Sequence, residues 1–242
     1  MTPDAYLTHL QNDGDRLIAA AKTAPEANVP SCPDWDLTAL VQHIGGAHRW
    51  VESMVRARAT EMLPFPERRK ARDESVTWYE EGLSSLIDAL ATAGPDAQVW
   101  NWVANGPGPS TFWHRRMAQE TSIHRWDAEN AVGQAGPIDT ELALDGIDEA
   151  LDMLAMRLSM QSEPELSGKL ALAATDAAWA CTLQLAPDAV RRGEGADGAD
   201  SVVRGTASDL HLWLTGRRGE GSTIVVEGDH AAADALGRMK FG

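Results

Sequence analysis

The sequence predicts an α+β protein with a four-helix bundle over residues 1–138 and a small α/β domain over residues 139–242. In the first half, apolar residues recur every three or four positions, which is the period of a helix with one buried face. In the second half, short segments alternate between apolar and polar residues, as strands do. The glycine- and proline-containing stretch 133–138 separates the helical pattern from the strand pattern and predicts the domain boundary.

Each helix of the predicted bundle has its own start or stop signal. The first runs from Pro3 to about Ala24, and the second opens at Asp36, a typical N-cap residue. The third covers about Asp73 to Ala91 and ends before Gly94. The fourth begins at Ser110 and Thr111 and runs to about Val132. Four helices joined by loops pack most easily as an antiparallel bundle.

The second domain combines one long helix with several strands. Residues 140–160 form an amphipathic helix, and residues 208–214 form a shorter helix that Gly216 closes. Strands are predicted at 169–174, 179–185, 189–192 and 222–227. The acidic, glycine-rich stretch 193–200 is predicted to be a hairpin or loop.

Charge and cysteine content exclude several classes of protein. The formal net charge is −15, which disfavours nucleic acid and anionic membranes as partners. Two cysteines give no disulfide framework, and no apolar run approaches the ~20 residues of a membrane span. The sequence shows no signal peptide, so a cytoplasmic protein is expected. Its expected state is a monomer or a homodimer. The basic run at 68–72 is interpreted as a solvated linker.

The chemistry of the chain is expected on the fourth helix, where Glu120 and His124 are four residues apart. That spacing places a carboxylate and an imidazole on one face, as two ligands of a divalent metal require. One stripe holds both residues together with four others: Trp113, Arg116, Met117 and Asp127. Arg125 and Trp126 are predicted to point away from this stripe.

The residues alone leave two interpretations open. Arg116 lies one turn before Glu120 and could neutralise it, with His124 a hydrogen-bonded core residue, in which case the site is purely structural. In the other interpretation, the second helix supplies a third metal ligand. His48 lies within the apolar stripe of that helix and His43 at its edge, so periodicity favours His48. The weakly helical pair Gly45-Gly46 beside His43 suggests a closely packed helix or ligand.

The stretches Cys32 to Gly46 and Phe112 to Glu129 resemble the mycothiol-dependent maleylpyruvate isomerase family of actinobacteria. Val202 to Leu214 and Val226 to Asp229 resemble the C-terminal domain of that family. The resemblance implies a metal-binding bundle of the DinB type followed by a sterol-carrier-like domain. It also implies that the metal ligands are His43, Glu120 and His124. Many relatives carry a histidine where this chain has Gln119.

The resemblance implies an enzyme that uses mycothiol as a thiol cosubstrate for isomerisation or S-transfer on a small electrophile. Two histidines and one glutamate form a common catalytic zinc set, although ligand type alone does not fix the metal. Zinc is favoured. A metal would deprotonate a bound thiol, and neither Cys32 nor Cys181 is expected to be a nucleophile.

Further roles are expected for residues near the predicted ligands and in the second domain. Arg116 and Asp127 are each one turn from a ligand, so they should support the ligands or face the substrate. Arg204 and Arg217 are the expected contacts of the thiol cosubstrate. Two alternatives are a zinc hydrolase in which Asp127 is the general base of a metal-bound water, and a non-catalytic protein that binds a small molecule.

Overall fold

The computed structural model describes residues 1–66, 74–160, 163 and 165–239. The basic run at 68–72, predicted to be a linker, lies outside these residues. The chain divides into two compact units, Met1–Gly136 and Pro137–Gly242, whereas the sequence places the boundary after residue 138. Helices dominate the first unit and a sheet dominates the second, so the predicted fold class is confirmed.

The described residues of the first unit form four helices, as predicted: α1 (Pro3–Thr23), α2 (Leu37–Ala57), α3 (Ser75–Ala93) and α4 (Thr111–Ala131). Asp36 is the N-cap of α2, where its carboxylate accepts a hydrogen bond from the Ala39 backbone N–H at 2.8 Å. Helix α1 packs against α3 and α4, and α2 packs against the same two helices. The unit therefore has the bundle arrangement that the apolar periodicity predicts.

Two short hairpins in the loops of the bundle were not predicted. The first pairs β1 (Asn28–Val29) with β2 (Cys32–Asp36), and the second pairs β3 (Gln98–Asn101) with β4 (Gly106–Pro109). Both contain proline or glycine and are too short for a readable alternation of apolar and polar residues. The first hairpin leads directly into α2, so it lies close to the ligands predicted on that helix.

Helix α4 is buried around most of its circumference, which the single-stripe interpretation did not anticipate. Trp126 is buried, and the Arg125 side chain donates to Asp13 at 3.0 Å and to Glu129 at 2.9 Å. Arg125 also donates to the Gly136 carbonyl, and Glu129 accepts from Arg16. The contacts of Arg125 lie apart from the site stripe, as predicted, and the burial of Arg125 and Trp126 shows that their own side of α4 is also interior.

In the second unit, helices cover one face of a mixed five-stranded sheet. Its helices are α5 (Thr140–Met160), α6 (Ala207–Leu214) and α7 (His230–Arg238), and its strands are β5 (Gly168–Ala174), β6 (Ala180–Ala186), β7 (Ala189–Glu194), β8 (Ser201–Gly205) and β9 (Val225–Gly228). The strand order is β7-β6-β5-β8-β9, and only β5 and β8 are parallel. Apolar residues of all three helices pack on Leu170, Leu172 and Val203.

Most elements of the second unit follow the sequence, with three differences. Strand β8 and helix α7 were not predicted as elements, and the strand expected at 222–227 begins only at Val225. Thr223, which precedes this strand, instead donates through its backbone N–H to the Asp209 carboxylate at 2.8 Å. None of the helices that the structure describes has the length and apolar character needed to cross a bilayer.

Replacement of Arg125 with Met should destabilise the bundle by about 3–5 kcal/mol, because it leaves Asp13 as a buried carboxylate without its guanidinium partner and removes one of the two guanidinium partners of Glu129. Urea denaturation followed by circular dichroism measures this loss. The control is Lys22→Met, which breaks the exposed Lys22–Glu80 pair and should cost about 0–1 kcal/mol. Equal effects of the two changes would contradict a structural role for the Arg125 network.

Candidate metal centre

Three side chains from two helices converge in the first unit. His43 projects from α2, and Glu120 and His124 project from α4. Potential ligand atoms of these three residues all lie within 4.8 Å of one another. One oxygen of Glu120, Oε1, is 3.6 Å from His43 Nε2 and 3.3 Å from His124 Nε2. The spacing of four residues on α4 therefore aims both side chains at one point, as the sequence predicts.

The structure places His43 in this cluster and His48 outside it. His48 is fully buried, and its Nε2 shares a hydrogen bond of 2.9 Å with the Thr121 hydroxyl. Burial lowers the pKa of His48 to about 3, so this imidazole is neutral. The apolar periodicity of α2 favoured His48 as the neighbour of Glu120, which is wrong. Periodicity identifies the most buried positions of a helix, and His43, the histidine that contacts Glu120, is less buried than His48.

The glycine pair Gly45-Gly46 close to His43 has a direct structural explanation. A Cβ atom built on Gly45 would lie 2.7 Å from the ring of Trp78 on α3. Only glycine therefore allows α3 to approach α2 this closely. Of the two causes considered for the glycine pair, a packed helix or a ligand, the structure supports the helix at Gly45.

The two oxygens of Glu120 have different neighbours. Oε1 faces the two histidines, while Oε2 accepts a hydrogen bond from the Arg116 guanidinium. Burial raises the pKa of Glu120, but Arg116 and hydrogen bonds with His124 and His43 outweigh it and hold the pKa well below its ordinary value. Glu120 is thus a carboxylate, and Arg116 neutralises one oxygen without occupying the other.

A hydrogen-bonded chain extends from His124 to the first hairpin. His124 donates through Nδ1–H to Oδ2 of Asp127 at 2.9 Å, and Oδ1 of Asp127 accepts from the Ser31 hydroxyl. Burial lowers the pKa of His124, but Asp127 and Glu120 together raise it to about 9. With Nδ1 engaged, the nitrogen left to bind a cation is Nε2, which faces Glu120.

The first hairpin also contributes an aromatic ring. The indole of Trp35 on β2 lies with its centroid 4.7 Å from the His43 ring and 6.5 Å from the His124 ring. Sequence reasoning missed both Ser31 and Trp35 as site residues. The only signal available was their position just before α2, with Trp35 inside the stretch Cys32 to Gly46 that carries the family resemblance and Ser31 directly before it.

This arrangement suits a divalent cation. Two imidazole nitrogens and one carboxylate oxygen form a donor set that zinc and other first-row divalent metals accept. A divalent ion with one anionic ligand keeps a net positive charge, so the set favours an anionic fourth ligand. Both carboxylate oxygens of Asp127 are engaged and its side chain is fully buried, which disfavours Asp127 as a general base for metal-bound water.

Family models match both units of the chain. The mycothiol maleylpyruvate isomerase N-terminal domain matches residues 7–129, and the C-terminal domain of the same family matches residues 141–235. The chain belongs to this mycothiol maleylpyruvate isomerase family. The resemblance seen in the sequence is thereby confirmed, and the two matched regions correspond to the two units of the structure.

Solved structures support the fold of this family member. The crystal structure of the mycothiol-dependent maleylpyruvate isomerase matches with a TM-score of 0.67 and 16% identity, over 95% of each chain. A mutant of that isomerase, with alanine in place of one histidine, matches with a TM-score of 0.61 and 17% identity over the same shares. No curated protein sequence matches the chain significantly.

Two arginines of the second unit were expected to contact the thiol cosubstrate. Arg204 lies on β8 and pairs with Glu227 on β9 at 3.1 Å, with its side chain partly exposed. Arg217 follows α6, is buried and donates to the Thr215 carbonyl at 2.7 Å. These contacts leave the role expected for either arginine untested, and it remains a prediction.

Cys181 has the features of a structural thiol in this family member. It lies on β6 opposite Leu172 and packs against the core of the second unit. Burial raises the pKa of the Cys181 thiol to about 11, with Arg192 opposing the shift. Only the thiolate is nucleophilic, so this cysteine is protonated and unreactive at neutral pH.

Alkylation of Cys181 should therefore be slow at pH 8, where roughly one thiol in a thousand is ionised, and should accelerate about tenfold per pH unit up to about pH 10. Iodoacetamide labelling of a Cys32→Ser protein, followed by mass spectrometry, isolates this thiol. The same protein in guanidinium chloride is the control, since an unfolded cysteine has a pKa of about 8.5. A folded-state rate that levels off near pH 9 would show that burial does not control Cys181.

Proposed function

We propose that the protein is an enzyme that binds one divalent metal, with zinc favoured, through His43, Glu120 and His124. At this site it uses a low-molecular-weight thiol, mycothiol, for isomerisation or S-transfer on a small electrophilic substrate. The observation that carries the proposal is the convergence of three ligand atoms within 4.8 Å in a member of a family named for mycothiol and maleylpyruvate. The thiol chemistry itself is inferred from the family.

Each residue of the centre has a task in this proposal. Glu120 is ionised and presents Oε1 to the metal position, while Arg116 holds Oε2 and keeps the carboxylate from rotating. Asp127 holds His124 in the tautomer whose Nε2 is free to ligate. When bound, the metal would lower the pKa of a coordinated thiol so that it is a thiolate near neutral pH.

Two readouts separate this proposal from its alternatives. Metal analysis of the purified protein distinguishes an enzyme with a metal centre from a metal-free binding protein. Titration of the cobalt-substituted protein with mycothiol should produce a sulfur-to-cobalt charge-transfer band. S-Methyl mycothiol, which cannot form a thiolate, is the matched control and should produce no such band. If mycothiol also gives no band while metal is bound, the hydrolase alternative is favoured.

His43→Ala and His124→Ala should each abolish stoichiometric metal binding, because the two protein ligands that remain do not retain a zinc ion against solvent and buffer. Elemental analysis after dialysis measures the metal content, and circular dichroism checks the fold. His48→Gln is the control, since His48 bonds to Thr121 outside the cluster. Loss of metal in His48→Gln together with its retention in His43→Ala would overturn the ligand assignment.

Asp127→Asn should weaken metal binding by about 10–100-fold, because the amide is a poorer acceptor for His124 Nδ1–H and no longer raises the basicity of the imidazole. Competition with a chelator measures the affinity. Asp34→Asn removes the same charge from an exposed position on β2 and should leave the affinity within about twofold of wild type. If Asp127→Asn and Asp34→Asn bind the metal with equal affinity, Asp127 contributes only to packing and does not support the metal ligand His124.

A further inference from the structure

The turn of the first hairpin brings a hydroxyl to a helix that is distant in sequence. Val29 pairs with Cys32, so the hairpin closes through the two residues Pro30 and Ser31. From this turn Ser31 donates its hydroxyl to Oδ1 of Asp127, 96 residues later in the chain. The other oxygen of Asp127 accepts from His124 at 2.9 Å. The contact therefore continues the chain that begins at a proposed metal ligand.

We propose that Ser31 is a positioning residue for His124 and acts through Asp127. This inference rests on the proposed metal function of His124 and adds a residue that neither the ligand set nor the helix stripe includes. A carboxylate can rotate about its Cβ–Cγ bond, and a hydroxyl bonded to Oδ1 restricts that rotation. Oδ2 then stays directed at Nδ1 of His124, and the imidazole keeps Nε2 on the Glu120 side.

Burial makes this hydrogen bond consequential. The Asp127 side chain is 0% exposed, so solvent cannot replace a lost partner at Oδ1. A hydrogen bond to a buried charged group contributes more than one at the surface, because the competing water is excluded. Loss of the Ser31 hydroxyl should therefore change the orientation of the His124 ring, because water cannot replace the lost hydrogen bond to Asp127.

The hairpin has anchors that do not involve Asp127. The backbone N–H groups of Leu37 and Thr38 donate to the carbonyls of Ala27 and Pro25, each at 3.0 Å, and the Thr38 hydroxyl also donates to Pro25 at 3.0 Å. Val29 adds a fully buried side chain. Because these contacts hold the hairpin without Ser31, the contact between Ser31 and Asp127 serves the carboxylate more than it serves the turn.

The competing explanation is that Ser31 only ties the hairpin to α4. Thr38 offers a matched control for that explanation, because its hydroxyl anchors the same hairpin and is not part of the chain that leads to His124. Thr38→Val keeps the shape of the side chain and removes that anchor. A purely structural role predicts that Ser31→Ala and Thr38→Val change metal binding to the same extent.

The test compares Ser31→Ala, Ser31→Thr and Thr38→Val in the full chain, with cobalt and zinc as the probes. Ser31→Ala should weaken metal binding about tenfold and alter the visible d–d spectrum of bound cobalt. Ser31→Thr, which restores a hydroxyl, should recover the wild-type spectrum and come within about threefold of its affinity. Thr38→Val should leave the metal affinity and the cobalt spectrum unchanged.

A double-mutant cycle tests whether Ser31 acts through Asp127. In an Asp127→Ala background, Ser31→Ala should cost less than about twofold in metal affinity, because the intermediary is already absent. A full tenfold loss in that background would overturn the proposal, as would wild-type affinity and spectrum in the Ser31→Ala single variant. A wild-type protein that binds no metal would instead overturn the proposed function on which this inference rests.

Discussion

Burial of charged side chains along α4 is the constraint on which the bundle depends. A charged group removed from water needs an opposite charge, a hydrogen-bonding partner or a metal. Helix α4 buries charged groups on two sides, and neighbouring elements supply the partners: Asp13 and Arg16 from α1, His43 from α2 and Ser31 from the first hairpin. The packing of α4 against the rest of the unit is therefore specified by polar pairings as well as by apolar contact.

The two sides of α4 satisfy this constraint differently. On one side, Arg125 and Arg16 neutralise Asp13 and Glu129, so the network is complete without any further ion. On the other side, Glu120 Oε1 faces two imidazoles, which are neutral whenever they act as ligands. Among the residues that the structure describes, this second side alone presents potential ligand atoms that converge on one point. The same helix thus carries a structural network and a candidate metal centre, separated by its rotation of about 100° per residue.

Sequence reasoning found the parts of this centre that depend on local spacing. Glu120, His124 and Asp127 lie within two turns of one helix, so their common face follows from the helical period. Which histidine lies beside Glu120 depends on how α2 is rotated against α4, and apolar periodicity favoured His48, which lies outside the cluster. Ser31 and Trp35 reach the site across the fold from a short hairpin that has no readable pattern. The burial of Arg125 was not anticipated, because only one buried stripe was considered, whereas α4 is enclosed by the other helices.

The geometry also bears on which nucleophile the centre can use. Asp127 is the carboxylate that a hydrolytic mechanism would recruit as a base, but it is committed to His124 and Ser31 within the protein interior. Cys181 belongs to the core of the second unit and is held protonated by burial. A cation held by two neutral imidazoles and a single carboxylate keeps one unit of positive charge, which a thiolate or a hydroxide would neutralise equally, so charge balance does not separate the two nucleophiles. The engagement of Asp127 with His124 and Ser31 is therefore the feature of the geometry that favours an exogenous thiol over an activated water at this centre.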